Sequence, residues 1–356
     1  MRATSGDQVT ESVAGCVAVL RKAVGRDWHG VRAGRVEWDC HTTAVHVADD
    51  LVAYAANLAG RARDAYVPFE LKLDESTDNA GLFQVLEATG ALLAAAVATA
   101  PPDVRAFHPY PFRAADRHGF AAMGVAEVLL HTHDMAEGLG LAYEPPAELA
   151  ESVLATIFPH VQPGPEPWPT LLWATGRGEL PGRDPVTAWR WYNNLVLSTE
   201  RLTLTGVRPA AARDLALDGD GGFDWLGDGP EEGTRDAARM LVKAYEAGVH
   251  RPEFTSFVLV RAEDGRAVGT LGFHGAPDED GRVEIGYNLV EDARGRGYAT
   301  EALRALAGWA LARDDVRTLY ARARKDNADS QGVLTRAGFT PLGALDDRLL
   351  AYELHA

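Results

Sequence analysis

Residues 294–299 read Arg-Gly-Arg-Gly-Tyr-Ala, after a run with strand character and ahead of a run with helical character. The first N–H groups of a helix have no internal partners, and the helix dipole adds partial positive charge there. Gly295 and Gly297 let a ligand approach the backbone, while Arg294 and Arg296 can add charge-assisted bonds. A pyrophosphate suits such a turn; an ordinary surface connection has the same composition. The turn is not a dinucleotide fingerprint, because Thr300 stands where a third glycine belongs, and no G-K-[ST] follows to make a Walker loop. A second group of chemically capable residues lies earlier. Glu127 and His131 are four apart, so one face of a helix presents both, and His46 belongs to another helical run. Two ligands at that spacing plus one from a facing helix make a three-ligand metal site with an open position. A bundle histidine capped by a carboxylate would look the same.

The elements that must carry these residues change character near residue 200. Before it, apolar residues recur at helical spacing over 8–25, 40–60, 80–100, 117–140 and 146–158, with a further helix or helix end expected at 186–197. After it, 201–207, 255–261, 267–275 and 282–290 read as strands, followed by a helix at 299–313, a strand at 317–323 and a helix at 328–337. A chain of 356 residues suits two or three domains. The expected division is an all-α domain over 1–198 and an α/β (α+β) domain over 199–356.

Composition excludes several classes of partner. Apolar residues make up 46% and charged residues 24%, which is globular and not disordered. A net charge of −16 gives no general attraction to nucleic acid or to an anionic membrane. The longest apolar stretch, around 91–100, is short for a bilayer span, and the first dozen residues lack the apolar core of a secretory signal. Cys16 and Cys40 are too few for a disulfide framework. The expectation is a cytoplasmic protein that binds small molecules or peptides, in an oligomeric state that the sequence does not set.

The C-terminal segments VEIGYNLVEDARGRGYATEAL and NADSQGVLTRAGF resemble the GNAT family of acyl-CoA-dependent N-acyltransferases, closest to the branch of ribosomal-protein N-terminal acetyltransferases. The likeness covers about residues 199–356 and includes the start TERLTL. Arg294 to Ala299 fits the family's acyl-CoA loop, Q/R-x-x-G-x-G/A, at every fixed position. The resemblance implies that Arg294, Gly295, Arg296, Gly297, Tyr298, Ala299 and Thr300 hold the pyrophosphate of acetyl-CoA. It implies that main-chain groups of Asn288, Leu289 and Val290 bind the pantetheine arm where strand 282–290 splays from strand 317–323. Asn327 and Ser330 match the family's N-x-x-S near the sulfur. Glu284 is the candidate base for the acceptor amine; as a strand carboxylate it also suits attraction of a cationic acceptor, or a purely structural role. Tyr287 and His274 are weaker candidates, and no tyrosine is placed as proton donor to the leaving thiolate.

In the N-terminal half, Trp38, His46-x-x-Asp49, Glu127-x-x-x-His131 and the end Gly176-Arg177…Pro181-Gly182…Trp189 resemble the N-terminal domain of mycothiol-dependent maleylpyruvate isomerase, one of the DinB-like four-helix bundles. This likeness implies that His46, Glu127 and His131 bind zinc or another divalent ion whose open position activates a thiol or water. His41 and His133 are neighbours and not matched ligands, and Asp134 is either a brace for a ligand or a plain polar residue. The combined expectation is a DinB-like bundle followed by a GNAT domain that moves acetyl from acetyl-CoA to a primary amine by direct attack, since no cysteine lies in the second half to carry the acyl group. The alternatives are a metal- and thiol-dependent transferase or isomerase centred on the bundle, and a bundle that serves only as a scaffold.

Overall fold

In a computed structural model the chain is described over residues 4–109 and 112–355. It divides into two compact units, Met1–Asn194 and Leu195–Ala356. The division falls a few residues ahead of the expected 198/199 boundary because Val196–Ser198 pairs as a strand with Leu202–Gly206.

The first unit is helical. Helices α1 (Gly6–Leu20), α2 (Cys40–Gly60), α3 (Asn79–Thr99) and α4 (Arg117–Leu139) pack on one another, with α5 (Ala147–Ile157) and α6 (Pro167–Ala174) added alongside. A two-strand ribbon, β1 (Arg105–Ala106) and β2 (Ala115–Asp116), precedes α4. Aspartates start three of the helices: the carboxylates of Asp39, Asp78 and Asp116 accept from the N–H groups of Thr42, Gly81 and Gly119. Helix α4 is apolar nearly all round, and every residue from Gly119 to Thr132 is buried. Its polar exceptions therefore sit inside the unit. Helix α3 is long and apolar enough to cross a membrane by length and composition, which corrects the shorter stretch read from the sequence. Here Leu82, Phe83, Leu86 and Leu93 bury it in the core. The helix expected at 186–197 does not form. Residues 185–195 are irregular, and the Tyr192 N–H donates to the Ile157 carbonyl instead of to its own chain four residues back.

The second unit is built on one mixed sheet of eight strands. In chain order these are β3 (Val196–Ser198), β4 (Leu202–Gly206), β5 (Ser256–Arg261), β6 (Ala267–Phe273), β7 (Arg282–Leu289), β8 (Thr318–Arg324), β9 (Thr340–Ala344) and β10 (Leu349–His355). Their spatial order is β3-β4-β5-β6-β7-β8-β10-β9, with β9 as a solvent-exposed edge. All neighbours are antiparallel except β7 and β8, which run parallel and pair only over Arg282–Glu284 with Thr318–Tyr320. Beyond Glu284 and Tyr320 the two strands have no further register. Helix α9 (Tyr298–Leu311), which makes the parallel crossover, packs on β6, β7 and β8 through the fully buried Leu303 and Leu306. Helix α10 (Ala328–Arg336) lies beside α9. Helices α7 (Pro209–Ala216) and α8 (Glu232–Glu246) pack on each other, and α8 packs on β5, β6 and β7. The opposite sides of the sheet are set by strand alternation: Asn288 bonds to α8, whereas its neighbour Tyr287 bonds to α10.

Leu303→Ala removes a fully buried side chain from the helix that follows the glycine turn. Chemical denaturation is expected to show a loss of about 2–5 kcal/mol; a change under about 1 kcal/mol would mean that α9 is not fixed by this contact.

Candidate functional site

The parallel pair and the turn before α9 come together at one end of the sheet. After β7 a short turn leads to Arg294, and Gly295 and Gly297 follow at φ +72 and +82. That backbone favours glycine on conformational grounds alone, since a Cβ on Gly295 would meet nothing within 4 Å. Gly297 is the N-cap of α9. The side chains of Tyr298, Ala299 and Thr300 are buried, so this first turn presents its N–H groups to the outside. Thr300 Oγ1 is buried without a hydrogen-bond partner among the described residues. Residues 294–297 are exposed.

A clamp absent from the sequence reading holds this turn. Arg201 donates from Nη1 to the Arg296 carbonyl at 3.0 Å and from Nε to Glu301 at 2.7 Å, and its guanidinium lies 4.9 Å from the Tyr298 ring centre. Glu301 also accepts from the Thr199 hydroxyl (2.6 Å) and from the Arg201 N–H (2.9 Å). Burial works against ionisation of Glu301, but these bonds outweigh it and hold its pKa below the ordinary value. Arg294 is engaged within the unit, donating to the Leu289 carbonyl at 3.2 Å and to Glu231 at 3.4 Å.

The pantetheine expectation for Asn288 to Val290 needs correction. The Val290 N–H donates to the Val268 carbonyl, and residues 286 and 288 share its side of β7, bonding to β6. The main-chain groups that face the opening beyond Glu284 are those of Ile285, Tyr287 and Leu289. The Asn288 side chain is tied as well, accepting from Thr234 (2.9 Å) and donating to Thr270 (2.7 Å).

On the α10 side, Asn327 is a helix cap, its Oδ1 accepting from the Ser330 N–H at 3.0 Å. That accounts for the first position of N-x-x-S by local structure and moves Asn327 away from a direct chemical part. Ser330 is different: its Oγ lies 2.9 Å from Tyr287 OH, which donates to the Ser330 carbonyl at 3.0 Å. Burial pushes the Tyr287 phenol upward, with the Ser330 bond opposing. The hydroxyl pair bridges β7 to α10 beside the opening.

On the α8 side, Glu284 is the last residue paired before the split. Its Oε1 accepts from Arg322 Nε at 2.7 Å and lies 3.2 Å from His274 Nδ1. Partial burial favours the neutral acid, but the two bonds prevail and hold the Glu284 carboxyl below its usual range. Glu284 and Tyr287 thus project to opposite faces of the sheet, on either side of one opening.

In the first unit, α2 supplies His46 and α4 supplies Glu127 and His131. One ligand atom from each lies within 4.8 Å of the others. Glu127 Oε2 is 3.2 Å from His131 Nε2 and 3.8 Å from His46 Nε2. His131 Nδ1 meets Asp134 at 3.0 Å, and Arg177 grips Asp134 through Nε and Nη2. Asp134 is therefore a brace and not a plain polar residue. Burial alone would lower the His131 pKa, but the bonds to Asp134 and Glu127 raise it to about 9, while burial lowers that of His46. Asp50, missed in the sequence, lies 3.3 Å from His46 Nε2. Asp49 is used elsewhere and accepts from the Leu71 N–H. His41 stacks on His29, and His133 meets Trp168, so neither joins the cluster. The cluster lines a cleft of about 440 Å³ with Trp38, Trp189 and Trp191. Two imidazoles and a carboxylate, with one imidazole oriented by a further carboxylate, are a donor set that fits a divalent ion such as zinc.

Comparison with known proteins separates the two units. Residues 201–340 match the family model of the acetyltransferase (GNAT) domain. The C-terminal unit carries a GNAT acetyltransferase domain. The uncharacterized N-acetyltransferase YjdG of Bacillus subtilis is 41% identical over 86 residues, which cover 24% of this chain and 51% of the relative. The ribosomal-protein-serine acetyltransferase of Escherichia coli is 29% identical over 115 residues, 32% of this chain and 61% of the relative. The chain spans about half the length of the curated relatives it matches. An acetyltransferase structure from Agrobacterium tumefaciens aligns at 26% identity and a TM-score of 0.34, covering 49% of this chain and all of that one. The GNAT match embraces the glycine turn, Glu284, Tyr287 and Ser330.

Glu284 and Glu301 both have folded pKa values below the ordinary 4.5. Their contribution to stability is full above that value and is lost as pH falls through the lower folded values. Denaturation between about pH 6 and about pH 3 should show the GNAT domain weakening below about pH 4.5, with a shallower slope in Glu301→Gln. An unchanged slope would mean that the Arg201–Glu301 clamp does not bind in solution.

Proposed function

We propose that this chain is an acetyl-CoA-dependent N-acetyltransferase acting on a primary amine, either a peptide N-terminus or a small molecule. The observation that carries the reading is the split between β7 and β8 after Glu284, with the glycine turn at one end of it and two different proton-handling groups on its two faces. The name of the E. coli relative, a ribosomal-protein-serine acetyltransferase, favours a protein or peptide acceptor.

Each group has a task suited to its chemistry. The N–H groups of Gly297 to Thr300 hold the pyrophosphate, with Arg296 adding charge from the exposed side. Main-chain groups of Tyr287 and Leu289 hold the pantetheine amides. Acetyl-CoA, as substrate, supplies an acetyl group activated as a thioester. Glu284, kept ionised, draws the ammonium form of the acceptor to the α8 face. Ser330 Oγ and Tyr287 OH hold a proton on the α10 face for the sulfur that departs.

Calorimetry with acetyl-CoA should show binding to wild type and its loss in Gly297→Glu, with unchanged circular dichroism. Free CoA released in the presence of unblocked peptides or small amines should fall about a hundredfold or more in Ser330→Ala. If Gly297→Glu binds acetyl-CoA as wild type does, the pyrophosphate site is misplaced.

A second reading concerns the helical unit, and the His46–Glu127–His131 cluster at its cleft favours it. In this reading the unit is a DinB-like bundle holding a divalent ion, and His46, Glu127 and His131 leave an open position toward the Trp38 side. The ion would supply Lewis acidity to a thiol or water. Metal analysis should find about one equivalent in wild type and none in His46→Ala or His131→Ala. Asp134→Asn should weaken affinity roughly ten- to a hundredfold. Substoichiometric metal in wild type supports the scaffold role instead.

A further inference from the structure

We propose that His274 is the residue that takes the proton from the acceptor amine, and that Glu284 is the positioning residue that orients it. This rests on the acetyltransferase reading above.

The geometry divides the work between the two side chains. Glu284 Oε1 already meets two donors, Arg322 Nε at 2.7 Å and His274 Nδ1 at 3.2 Å. A carboxylate stabilised by an arginine and an imidazole N–H is a weak proton acceptor, which agrees with its lowered pKa. An imidazole that gives Nδ1–H to a carboxylate keeps its Nε2 lone pair free, and it gains stabilisation when Nε2 is protonated. The Glu284 carboxylate holds the ring, and the backbone beneath it is tied to the same residue, since the His274 main-chain N–H donates to the Glu284 carbonyl at 2.9 Å. The His274 side chain is one-third exposed (33%), so a substrate can reach it. Among the described residues its Nε2 has no hydrogen-bond partner.

Gly286 supplies an independent observation. A Cβ at that position would stand 2.5 Å from His274 Nε2. The reactive nitrogen therefore lies over the second residue beyond the stretch of β7 paired to β8, where the sheet opens. The charged groups facing the ring are Glu284 from β7 and, through it, Arg322 from β8.

The proton count closes. The ammonium gives one proton to His274 Nε2, which frees the nitrogen lone pair. The N–C bond forms as the C–S bond breaks, and the electron pair leaves on sulfur. Nitrogen gives up two protons in all: the first reaches water through His274 and the second passes to water as the amide forms, while sulfur gains one from the Tyr287–Ser330 hydroxyls, which solvent restores, so that one proton is released per turnover.

The test uses the full chain, acetyl-CoA and an unblocked serine peptide, with free CoA as readout. His274→Gln should lower kcat/KM about a hundredfold or more at neutral pH while acetyl-CoA affinity by calorimetry stays within twofold of wild type. The acid limb of the wild-type pH profile should vanish in this variant, and added imidazole should restore part of the rate. Glu284→Gln should also lower kcat/KM with acetyl-CoA affinity unchanged, and its loss should not add to that of His274→Gln in the double variant. An unchanged rate or acid limb in His274→Gln overturns the proposal, as does a loss of acetyl-CoA affinity in step with the rate. If wild type consumes no acetyl-CoA, acetyl transfer to this acceptor fails, and nitrogen NMR of the ring then decides the His274 assignment. An Nδ1–H tautomer that is lost in Glu284→Leu supports it, and an Nε2–H tautomer in wild type overturns it.

Discussion

Parallel strands that separate after three paired residues leave a row of backbone donors and acceptors without a ladder. Buried main-chain polar groups must find partners, so the facing edge of β7 beyond Glu284 is a demand that something else has to meet. In this domain part of the demand is met from within, since Arg294 takes the Leu289 carbonyl, while the Tyr287 side chain bridges the slot to Ser330. The remaining groups of Ile285, Tyr287 and Leu289 line an extended slot matched to an amide-bearing arm. The crossover helix starts at the same end, so the break in the sheet and the orphan N–H groups of α9 belong to one construction.

Charge follows from the same construction. The chain is acidic overall, at −16, yet the proposed substrate carries phosphates. Attraction in bulk cannot serve, and local backbone dipoles do instead. The Arg201–Glu301 pair makes this workable. It fixes the turn from behind, through the Arg296 carbonyl, and leaves the N–H side outward. Across the slot, Arg322 and Glu284 pair so that the α8 face keeps an ionised carboxylate beside an imidazole.

Much of this was legible in the residues. The alternation of 255–261, 267–275 and 282–290, with their Gly and Asp turns, marked β5 to β7, and the ARGRGYA run marked the start of α9. Helices α2 to α4 and the cluster His46, Glu127 and His131 followed from helical spacing. The failures have physical causes. At 186–197, Trp189 and Trp191 alternate along an irregular segment and line a cleft, where helical spacing was expected. Helix α8 has a readable stripe, Ala238, Leu241 and Tyr245, in the stretch between strands 201–207 and 255–261 for which no element was expected. Strand β9 is exposed on both faces and so carries no alternation. The partnerships of His274 with Glu284 and of Tyr287 with Ser330 depend on strand register and on a crossover, neither of which is written in local spacing. Asn327 matched a motif but serves as a cap, since one residue type suits both tasks.

Strand β9 has a bearing on how such a domain stays dispersed. A sheet closed at neither side offers its outermost strand as a template for another chain, and here that strand also shows Leu342 and, just beyond it, Leu345 to solvent. Pro341 removes a donor from that edge, and Gly343, at φ +106, breaks its extended line. The pairing to β10 shifts register between Ala351 and Tyr352, which twists the edge further. The border of the sheet is thus irregular in three ways over five residues, and a straight incoming strand would find no continuous ladder to extend. Resistance to edge-on aggregation is therefore placed in backbone irregularity at the rim, leaving the apolar side chains there tolerable.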